Sequence, residues 1–460
     1  MTARPLHVVI LAAGEGKRMN SRLPKVLQPV GGQPMLRHVV DTALALDPES
    51  VHVVVGYGAE QVRELLAEIA DARVVTADQR EQLGTGHAVQ QAIGAVPARA
   101  RVLVLYGDMP LVRRSTLERF LALDQPAALM SFIAPDPHGY GRILRDVQRN
   151  VVGIREQRDA SGTEERIDEV NSGVLAADAD RLAAWLDRID DDNAQREYYL
   201  TDCIGLAAAD GIAIGALVCD DPDEALGAND MRQLAALESG LQHRRRDALM
   251  AAGVRMAAPE TVHVRAEVAA GRDTVIEPGC VLEGRVELGD GVVIGPGSVV
   301  RDCRLAAGTR IEPSCVLDGV ETTGPCTIGP FARLRPGTVL AAGVKVGNFV
   351  ETKNARFDQG AKASHLSYVG DAEVGARANL GAGTITCNYD GAAKHRTVIG
   401  DDAFIGSNTA LVAPVRIGAG ATIGAGSVIC SDAPDGELTL ARARQTTVPD
   451  WERPVKKADG

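Results

Sequence analysis

The sequence predicts a two-part protein, an α/β domain followed by an all-β domain built from hexapeptide repeats. Branched aliphatic residues recur every six positions in the second half, and strand and helix patterns alternate in the first. The length of 460 residues also exceeds what one hydrophobic core usually serves. An aromatic content of only 3% fits a repeat domain, whose narrow interior admits Ile, Leu and Val better than rings.

The six-residue period is clearest between Ile399 and Ile429, where several members precede a glycine that is free to turn. The same phase occurs upstream, slips near Arg304 and then returns. Its positions are Ile276, Leu282, Leu288, Ile294, Val300, Ile328, Leu334, Leu340, Val346, Ile399, Ile405, Leu411, Ile417, Ile423 and Ile429. This pattern predicts a parallel β-helix in which each unit supplies one short strand and its turn.

The period lapses twice, around residues 351–367 and across residues 386–396. Residues inserted into a regular rod leave it as loops, and loops on a rigid scaffold often carry function. We therefore expect a loop at each lapse, with His365 in the first.

A cationic face is predicted around His365. Residues about 18 apart in a hexapeptide helix stack on one face, and Arg335 and Lys353 have that spacing. With Tyr368 and Asn379 they would form a surface suited to a phosphate-bearing ligand. A histidine is also the side chain best able to accept a proton near neutral pH, although a lone histidine is more often structural.

The first half alternates strands and helices. Strands are expected at 8–11, 51–55, 73–76 and 101–106, and helices at 35–46, 59–69 and after Gly86. This alternation predicts a Rossmann-like parallel sheet with helices on both faces and ligands at the carboxyl ends of the strands.

A glycine-rich turn follows the first strand. Gly14 and Gly16 let backbone N–H groups approach phosphate oxygens, and four cations follow closely in an otherwise acidic chain. They are Lys17, Arg18, Arg22 and Lys25. The third glycine of the dinucleotide fingerprint and the Gly-Lys-Ser/Thr of a P-loop are both missing. A phosphate-bearing ligand is predicted, with a purely structural turn as the alternative.

Asp108 is a candidate magnesium ligand, because it ends a buried strand beside the glycine-rich turn. An aspartate at this position can also simply cap a turn. A second glycine-containing turn, at residues 81–88, opens a helix nearby.

Charge and cysteine usage exclude several classes. A net charge of −12 argues against a general nucleic-acid-binding or membrane-surface protein. Eight cysteines without ligand spacing suggest neither a zinc site nor a disulfide framework. The first apolar run is too short for a secretion signal, and no run reaches the roughly 18 residues of a membrane span. We expect a cytoplasmic protein with no nucleic-acid or membrane partner.

Residues 229–252 predict one long helix ended by Gly253, which would link the domains. Its charge run, His243 to Arg246, is expected to be a solvated face, with packing on the acidic first domain as the alternative.

Six motifs together resemble those of sugar-1-phosphate nucleotidyltransferases. They are Leu11-Ala12-Ala13-Gly14, Pro24-Lys25-Val26, Gln82-Leu83-Gly84-Thr85, Tyr106-Gly107-Asp108, Tyr140-Gly141-Arg142 and Glu169-Val170-Asn171-Ser172-Gly173. Combined with the hexapeptide half, they resemble one family over essentially the whole chain, the bacterial bifunctional N-acetylglucosamine-1-phosphate uridyltransferases and glucosamine-1-phosphate acetyltransferases.

The resemblance implies a uridyltransferase domain at 1–228, a linker helix at 229–252 and a left-handed β-helix acetyltransferase domain with a C-terminal arm at 253–460. It also implies a homotrimer, Mg²⁺, acetyl-CoA as acetyl donor, and UTP, glucosamine-1-phosphate and N-acetylglucosamine-1-phosphate as substrates.

The resemblance assigns roles to residues of the first half. Lys25 would neutralise phosphates as a catalytic residue, and Asp108 and Asn229 would bind magnesium. The nucleotide would be held by Leu11, Ala12, Ala13, Gly14, Gln79, Gly84 and Thr85, beside Tyr106 and Gly107. The acetylated sugar would be held by Gly141, Glu156 and Asn171, with Tyr199 and Thr201 nearby.

In the second half, His365 would be the catalytic base. Arg335 and Lys353 would bind the sugar phosphate, and Tyr368 and Asn379 the sugar. Acetyl-CoA would contact Ala382, Asn388, Tyr389, Ser407, Ala425 and Arg442, and the Asn388 amide could polarise its thioester carbonyl.

Two alternatives stay open. The chain could be a nucleotidyltransferase for another sugar with a regulatory β-helix, or the rod could serve only as a trimerising scaffold. Both predict a β-helix without chemistry.

Overall fold

The computed structural model describes residues 4–456, so the outermost residues of the predicted domains 1–228 and 253–460 lie outside it. The chain forms two compact units that divide between Arg244 and Arg245. No helix in residues 4–456 is long and apolar enough to cross a membrane. All eight cysteines are free thiols.

The first unit is built on a nine-stranded mixed sheet. Its strands and a separate hairpin, β2–β3, are β1 (Leu6–Ala12), β2 (Pro29–Val30), β3 (Gln33–Pro34), β4 (Ser50–Val55), β5 (Val74–Asp78), β6 (Arg101–Tyr106), β7 (Ala127–Ile133), β8 (Arg142–Arg145), β9 (Val151–Arg155), β10 (Glu169–Asp178) and β11 (Ile214–Val218). The order is β11-β7-β10-β6-β1-β4-β5, with β8 paired to β10 and β9.

Helices cover both faces of this sheet, as predicted. They are α1 (Met35–Leu44), α2 (Ala59–Ile69), α3 (Thr85–Ile93), α4 (Arg114–Leu121), α5 (Ala179–Leu186) and α6 (Asp202–Ala209). Alternate residues of β1 enter two different cores, Val8 and Ile10 on one face and Val9 and Leu11 on the other. Burial on both faces explains why this strand is a continuous apolar run.

The sheet is not wholly parallel. Strands β6, β1, β4 and β5 are parallel neighbours, but β10 runs antiparallel between β6 and β7. The four strands predicted from the sequence are thus parallel, as expected, whereas β10, which the sequence analysis did not place, adds an antiparallel strand. The apolar pattern of a strand reports which faces are buried and carries no information on direction.

The long helix α7 (Met231–Ala251) forms close to the predicted bounds, and the division between the two units falls within it. The interpretation of its charge run as a solvated face is wrong for all three arginines, each of which donates a hydrogen bond to a protein oxygen atom. Arg244 Nη2 donates to Asp221 Oδ2 at 3.0 Å, and the largely buried Arg246 donates to the Val262 carbonyl at 3.2 Å. Each part of the helix is thus hydrogen-bonded to the unit in which it lies, through Arg244 in the first unit and Arg246 in the second.

The second unit is a parallel β-helix, with 26 strands in two sheets of 11 and 15. They are β12 (Arg255–Met256), β13 (His263–Ala270), β14 (Val275–Ile276), β15 (Val281–Leu288), β16 (Val293–Ile294), β17 (Val299–Arg301), β18 (Arg304–Leu305), β19 (Arg310–Ile311), β20 (Val316–Asp318), β21 (Val320–Thr322), β22 (Thr327–Ile328), β23 (Arg333–Leu334), β24 (Thr338–Leu340), β25 (Lys345–Asn348), β26 (Glu351–Phe357), β27 (Lys362–His365), β28 (Tyr368–Val374), β29 (Asn379–Leu380), β30 (Ile385–Cys387), β31 (Thr397–Ile399), β32 (Phe404–Ile405), β33 (Ala410–Val412), β34 (Val415–Ile417), β35 (Thr422–Ile423), β36 (Val428–Ile429) and β37 (Leu438–Thr439).

The predicted hexapeptide positions form its core. All fifteen are at most 5% exposed, and they belong to one continuous cluster. The slip near Arg304 is a coil one residue short, because Val300 pairs with Leu317 whereas Leu282 pairs with Val300. Each coil gains its stability from its neighbours, as expected for a solenoid.

The two lapses of the period behave differently. Residues 351–367 do not form a loop, since they contain β26 and β27. Strand β26 pairs with β23, β24 and β28, and β27 pairs with β25 and β29. The prediction of a loop was wrong because the six-residue period is broken here by one missing residue, not by an insertion. Val346 pairs with Ala363, 17 positions on, whereas Leu334 pairs with Thr352, 18 positions on. Residues 386–396 do leave the rod, because Asn379 pairs with Phe404, 25 positions on, and Tyr389 bridges Lys394 in a small hairpin.

Candidate functional sites

The carboxyl ends of β1, β5 and β6 surround a cavity of about 270 Å³ in the first unit. The predicted residues in its lining are Leu11, Ala13, Gly14, Lys25, Gln79, Gly84, Thr85, Tyr106 and Asp108. Ala12 and Gly107 stand behind the wall: Ala12 is buried in the core, and the Gly107 N–H donates to the Leu11 carbonyl. The structure thus brings residues from distant parts of the sequence together.

Lys25 joins the two predicted magnesium ligands. Its Nζ lies 2.5 Å from Asp108 Oδ2 and donates to Asn229 Oδ1 at 2.7 Å. The Lys25 and Asp108 side chains are only 15% and 14% exposed. A carboxylate and an amide oxygen are therefore held around one cationic centre, and hard oxygen donors of this kind suit Mg²⁺.

The turn before α3 requires glycine. Gly84 has φ of +113°, and a methyl group there would lie 2.6 Å from the Tyr198 carbonyl oxygen. The Leu200 N–H donates to Thr85 Oγ1 at 3.1 Å, which ties the same turn to the segment before α6. These contacts fix one wall of the cavity.

The predicted sugar residues meet beside it. The Asn171 N–H donates to the Gly141 carbonyl at 2.8 Å, and Thr201 Oγ1 donates to Glu156 Oε1 at 2.9 Å. Tyr199 is almost fully buried, so it supports this region and does not line a surface.

Burial shapes the titration of this region. It raises the pKa of Tyr106, and the nearby Glu156 charge raises it further. Burial likewise raises the pKa of Glu156 above its usual range. Burial and the Asp190 charge raise the pKa of Asp202 to about 6. Burial therefore disfavours the charged forms of Tyr106, Glu156 and Asp202.

In the β-helix, His365 is exposed at the end of β27. Its Nδ1 lies 2.5 Å from Asn348 Oδ1, one coil below. An amide oxygen only accepts, so Nδ1 carries the proton and the Nε2 lone pair is left free. This tautomer is the one a general base acting through Nε2 needs.

The residues predicted to form a single cationic face are divided between two sheets of the rod. Arg335 and Lys353 do stack, since Leu334 pairs with Thr352, and Tyr368 lies on their sheet. His365 and Asn379 belong to the other sheet. The prediction was wrong because the chain turns a corner at residues 366–367, and only a spacing near 18 keeps residues on one face.

A second cation stands beside Lys353. Lys394, from the inserted hairpin, has its pKa lowered by the Lys353 amine. Burial favours the neutral acid of nearby Asp371, but hydrogen bonds from Asn354 and Asn388 lower its pKa overall. The pair of amines forms a small patch suited to an anion.

Four of the predicted acetyl-CoA residues line up along the rod. The Asn408 N–H donates to the Ala382 carbonyl, and the next coils place Ser407 and Ala425 in the same column. Arg442 Nη1 donates to the Ala425 carbonyl at 2.7 Å. Asn388 and Tyr389 are set apart in the hairpin region, and the Asn388 amide already donates to Asp371.

Sequence reasoning missed several residues at these sites. Gln82, Glu197 and Ala88 line the first cavity, and His87 contacts Gln79 behind it. Lys394 lies next to Lys353. The Gln82-Leu83-Gly84-Thr85 motif contains Gln82 and could have predicted its place in the cavity. No sequence spacing predicts that Glu197 lines the cavity or that Lys394 lies beside Lys353.

Comparisons with known proteins agree with this description. Residues 8–156 match the MobA-like NTP transferase domain, and residues 271–302 and 396–431 match the bacterial transferase hexapeptide (six repeats). Three relatives carry the name Bifunctional protein GlmU. The relative from Alkalilimnicola ehrlichii is 57% identical, covering 99% of this chain and 98% of its own. Those from Stenotrophomonas maltophilia and Xanthomonas axonopodis pv. citri are each 54% identical, covering 99% of this chain and 100% and 99% of their own.

Proposed function

Since the chain belongs to the GlmU family of bifunctional uridyltransferase/acetyltransferases of UDP-N-acetylglucosamine synthesis, we propose how its residues divide that work. Residues 1–228 join UTP to N-acetylglucosamine-1-phosphate with release of pyrophosphate. Residues 253–460 transfer an acetyl group from acetyl-CoA to glucosamine-1-phosphate, and residues 229–252 connect them. The division between two units inside α7 supports this assignment.

In uridyl transfer, a phosphate oxygen of the sugar phosphate attacks the α-phosphorus of UTP, and the bond to pyrophosphate breaks. A phosphate monoester is doubly ionised above pH ~6, so the nucleophile needs no general base. The protein must hold two anions in line and screen their charge. Lys25 is the cation positioned to do so, which is the observation that carries this half of the proposal.

Asp108 and Asn229 are the residues that would hold Mg²⁺. The bound ion would supply neutralisation of phosphate charge. Lys25 would then turn from these two oxygens toward the nucleotide phosphates. The Gly14 turn and Thr85 would orient the nucleotide, and Gly141, Glu156 and Asn171 the sugar.

In acetyl transfer, the sugar amine attacks the thioester carbonyl, His365 Nε2 accepts the amine proton, and the CoA thiol leaves. The contact between His365 and Asn348 carries this half of the proposal, because it presents a basic nitrogen to solvent. Arg335, Lys353 and Lys394 would bind the sugar phosphate. Ala382, Ser407, Ala425 and Arg442 would form the path for acetyl-CoA, with Asn388 and Tyr389 at its reactive end.

We further propose that neighbouring copies in a homotrimer complete this site. A ridge at one corner of the rod supports self-association. Phe331, Phe349 and Leu366 are 52%, 56% and 61% exposed, all with positive φ, and the two phenylalanine rings stack at 5.4 Å. Bulky side chains rarely adopt positive φ, and an exposed apolar ridge typically marks an interface.

The free thiols fit a reducing compartment, and we propose the cytoplasm.

Thiol release from acetyl-CoA in the presence of glucosamine-1-phosphate tests the second activity and separates it from a regulatory or purely structural β-helix. Wild-type protein should release thiol, and His365→Ala should lose at least about 100-fold of the rate, as expected for removal of a general base. His263→Ala is the matched control, because His263 is also an exposed histidine on the rod. Normal thiol release by folded His365→Ala would remove the proposed base.

A further inference from the structure

We propose that His87 is a positioning residue that sets nucleobase selectivity, by holding the Gln79 amide so that only its carbonyl oxygen faces the nucleotide cavity. The inference rests on the proposed uridyl-transfer site. It concerns a residue that lies behind the cavity wall, on the first turn of α3.

Gln79 is firmly held. It follows β5 and is 4% exposed, yet it lines the cavity. Its backbone N–H donates to the Val55 carbonyl at 2.8 Å. Its side-chain Nε2 lies 3.1 Å from the Gly84 carbonyl oxygen and 3.1 Å from His87 Nδ1.

These two contacts determine which way the amide points. A backbone carbonyl can only accept, so the atom beside Gly84 must be the NH₂ group of Gln79. One hydrogen goes to Gly84 and the other to His87 Nδ1, which must be an unprotonated acceptor. Both donors of Gln79 are then used, and the carbonyl oxygen Oε1 is the group left for a ligand.

An acceptor in this place selects among bases. Uracil carries a donor, N3–H, where cytosine carries an acceptor, N3. Gln79 Oε1 can accept from uracil N3–H but would face the cytosine N3 lone pair, an unfavourable pairing of two acceptors. Without His87, one hydrogen of Nε2 loses its partner, and the Gly84 carbonyl alone holds the amide. The orientation is then less firmly fixed, and an amide turned with its NH₂ toward cytosine N3 becomes accessible.

The ring of His87 is itself oriented by its neighbours. Its backbone sits in α3, where its carbonyl accepts from Gln91 Nε2 at 3.1 Å. Its ring lies 6.5 Å from that of Tyr198, whose N–H donates to the Leu83 carbonyl. The same turn that shapes the cavity therefore presents Nδ1 to Gln79.

The test measures kcat and KM for UTP and for CTP in the full-length protein, with N-acetylglucosamine-1-phosphate and detection of pyrophosphate. His87→Ala should raise KM for UTP about tenfold, leave kcat within about twofold, and lower the UTP/CTP preference by about 10- to 100-fold. His87→Asn should restore most of the preference, because its Oδ1 can replace Nδ1 as acceptor. His138→Ala, at an exposed histidine of the same unit, should behave as wild type.

His87→Leu keeps more side-chain volume than alanine and serves if His87→Ala does not fold; it should show the same loss of preference. An unchanged UTP/CTP preference in either folded variant overturns the inference. A fall in kcat alone, with equal loss for both nucleotides, also overturns it. If the wild-type protein does not use UTP at all, the proposed uridyl-transfer site has failed instead, so the two failures are distinct.

Discussion

Replacing Lys25 by methionine removes the one cation that joins Asp108 to Asn229 while keeping a side chain of similar length. Two short contacts are lost, at 2.5 and 2.7 Å, in a place where both ion-pair partners are largely buried. A preorganised donor aimed at developing charge contributes about 3–4 kcal/mol, or 10²–10³ in rate. We therefore expect uridyl transfer to fall by about 10²–10³ and acetyl transfer to be unchanged.

Stability must be measured alongside. Breaking a buried pair leaves an uncompensated carboxylate, which costs about 3–5 kcal/mol when burial is complete and less here, since Asp108 keeps some solvent. Arg114→Met is the matched control. Arg114 lies on α4 of the same unit, but its side chain is 60% exposed and its ion pair with Glu118, at 2.7 Å, is open to solvent. It should change stability by less than about 0.5 kcal/mol and activity by less than about threefold.

The assay follows pyrophosphate release with UTP and N-acetylglucosamine-1-phosphate, and thiol release with acetyl-CoA and glucosamine-1-phosphate, on one preparation of each variant. Retention of uridyl transfer within about tenfold in folded Lys25→Met would refute the assignment of Lys25. Equal loss of both activities would refute independent sites.

Three further outcomes follow from particular contacts. Gly370→Ala should raise KM for acetyl transfer about tenfold and leave uridyl transfer unchanged, because a methyl group there would lie 2.4 Å from Tyr368 Oη and 2.9 Å from Asn388 Nδ2. An unchanged KM in steady-state kinetics would contradict this. Phe349→Asp should dissociate the proposed trimer, and light scattering would detect this as a fall in molar mass. Val147→Asp, at a 93% exposed site of the first unit, is the control and should leave the mass unchanged. An unchanged molar mass of Phe349→Asp would exclude the ridge of Phe331, Phe349 and Leu366 as the interface. Acidification through about pH 6.5 should lower the melting temperature of the first unit. Burial lowers the pKa of His7 and His52, so the unfolded chain binds more protons than the folded one. In melting curves recorded across this pH range, His52→Gln should show a smaller fall in melting temperature than the wild type, and an equal fall would contradict this reasoning.

Patterns that repeat were read correctly from the sequence. The fifteen aliphatic hexad positions are all buried, because a stacked coil offers each of them the same interior. The bounds of α2 and β6 match the prediction, since their apolar periodicity is strong. Leu11, Gln79 and Tyr106 line one cavity because they stand at the carboxyl ends of parallel strands, which share one edge of the sheet.

Features that depend on how one element packs against another could not be predicted from the sequence. A lapse in the period looks the same whether residues are added or removed, so residues 351–367 were mistaken for a loop. A corner between His365 and Tyr368 moves neighbours in sequence onto different sheets. The link from His87 to Gln79 depends on how a helix turn meets a strand end, and no spacing rule encodes it.

Product analysis of one reaction tests the central claim most directly. Wild-type protein is supplied with glucosamine-1-phosphate, acetyl-CoA, UTP and Mg²⁺, and the products are separated and weighed by mass spectrometry. The account predicts UDP-N-acetylglucosamine, with one CoA thiol and one pyrophosphate released per molecule formed. Formation of a uridine diphosphate sugar without thiol release, or of no nucleotide sugar at all, would contradict it.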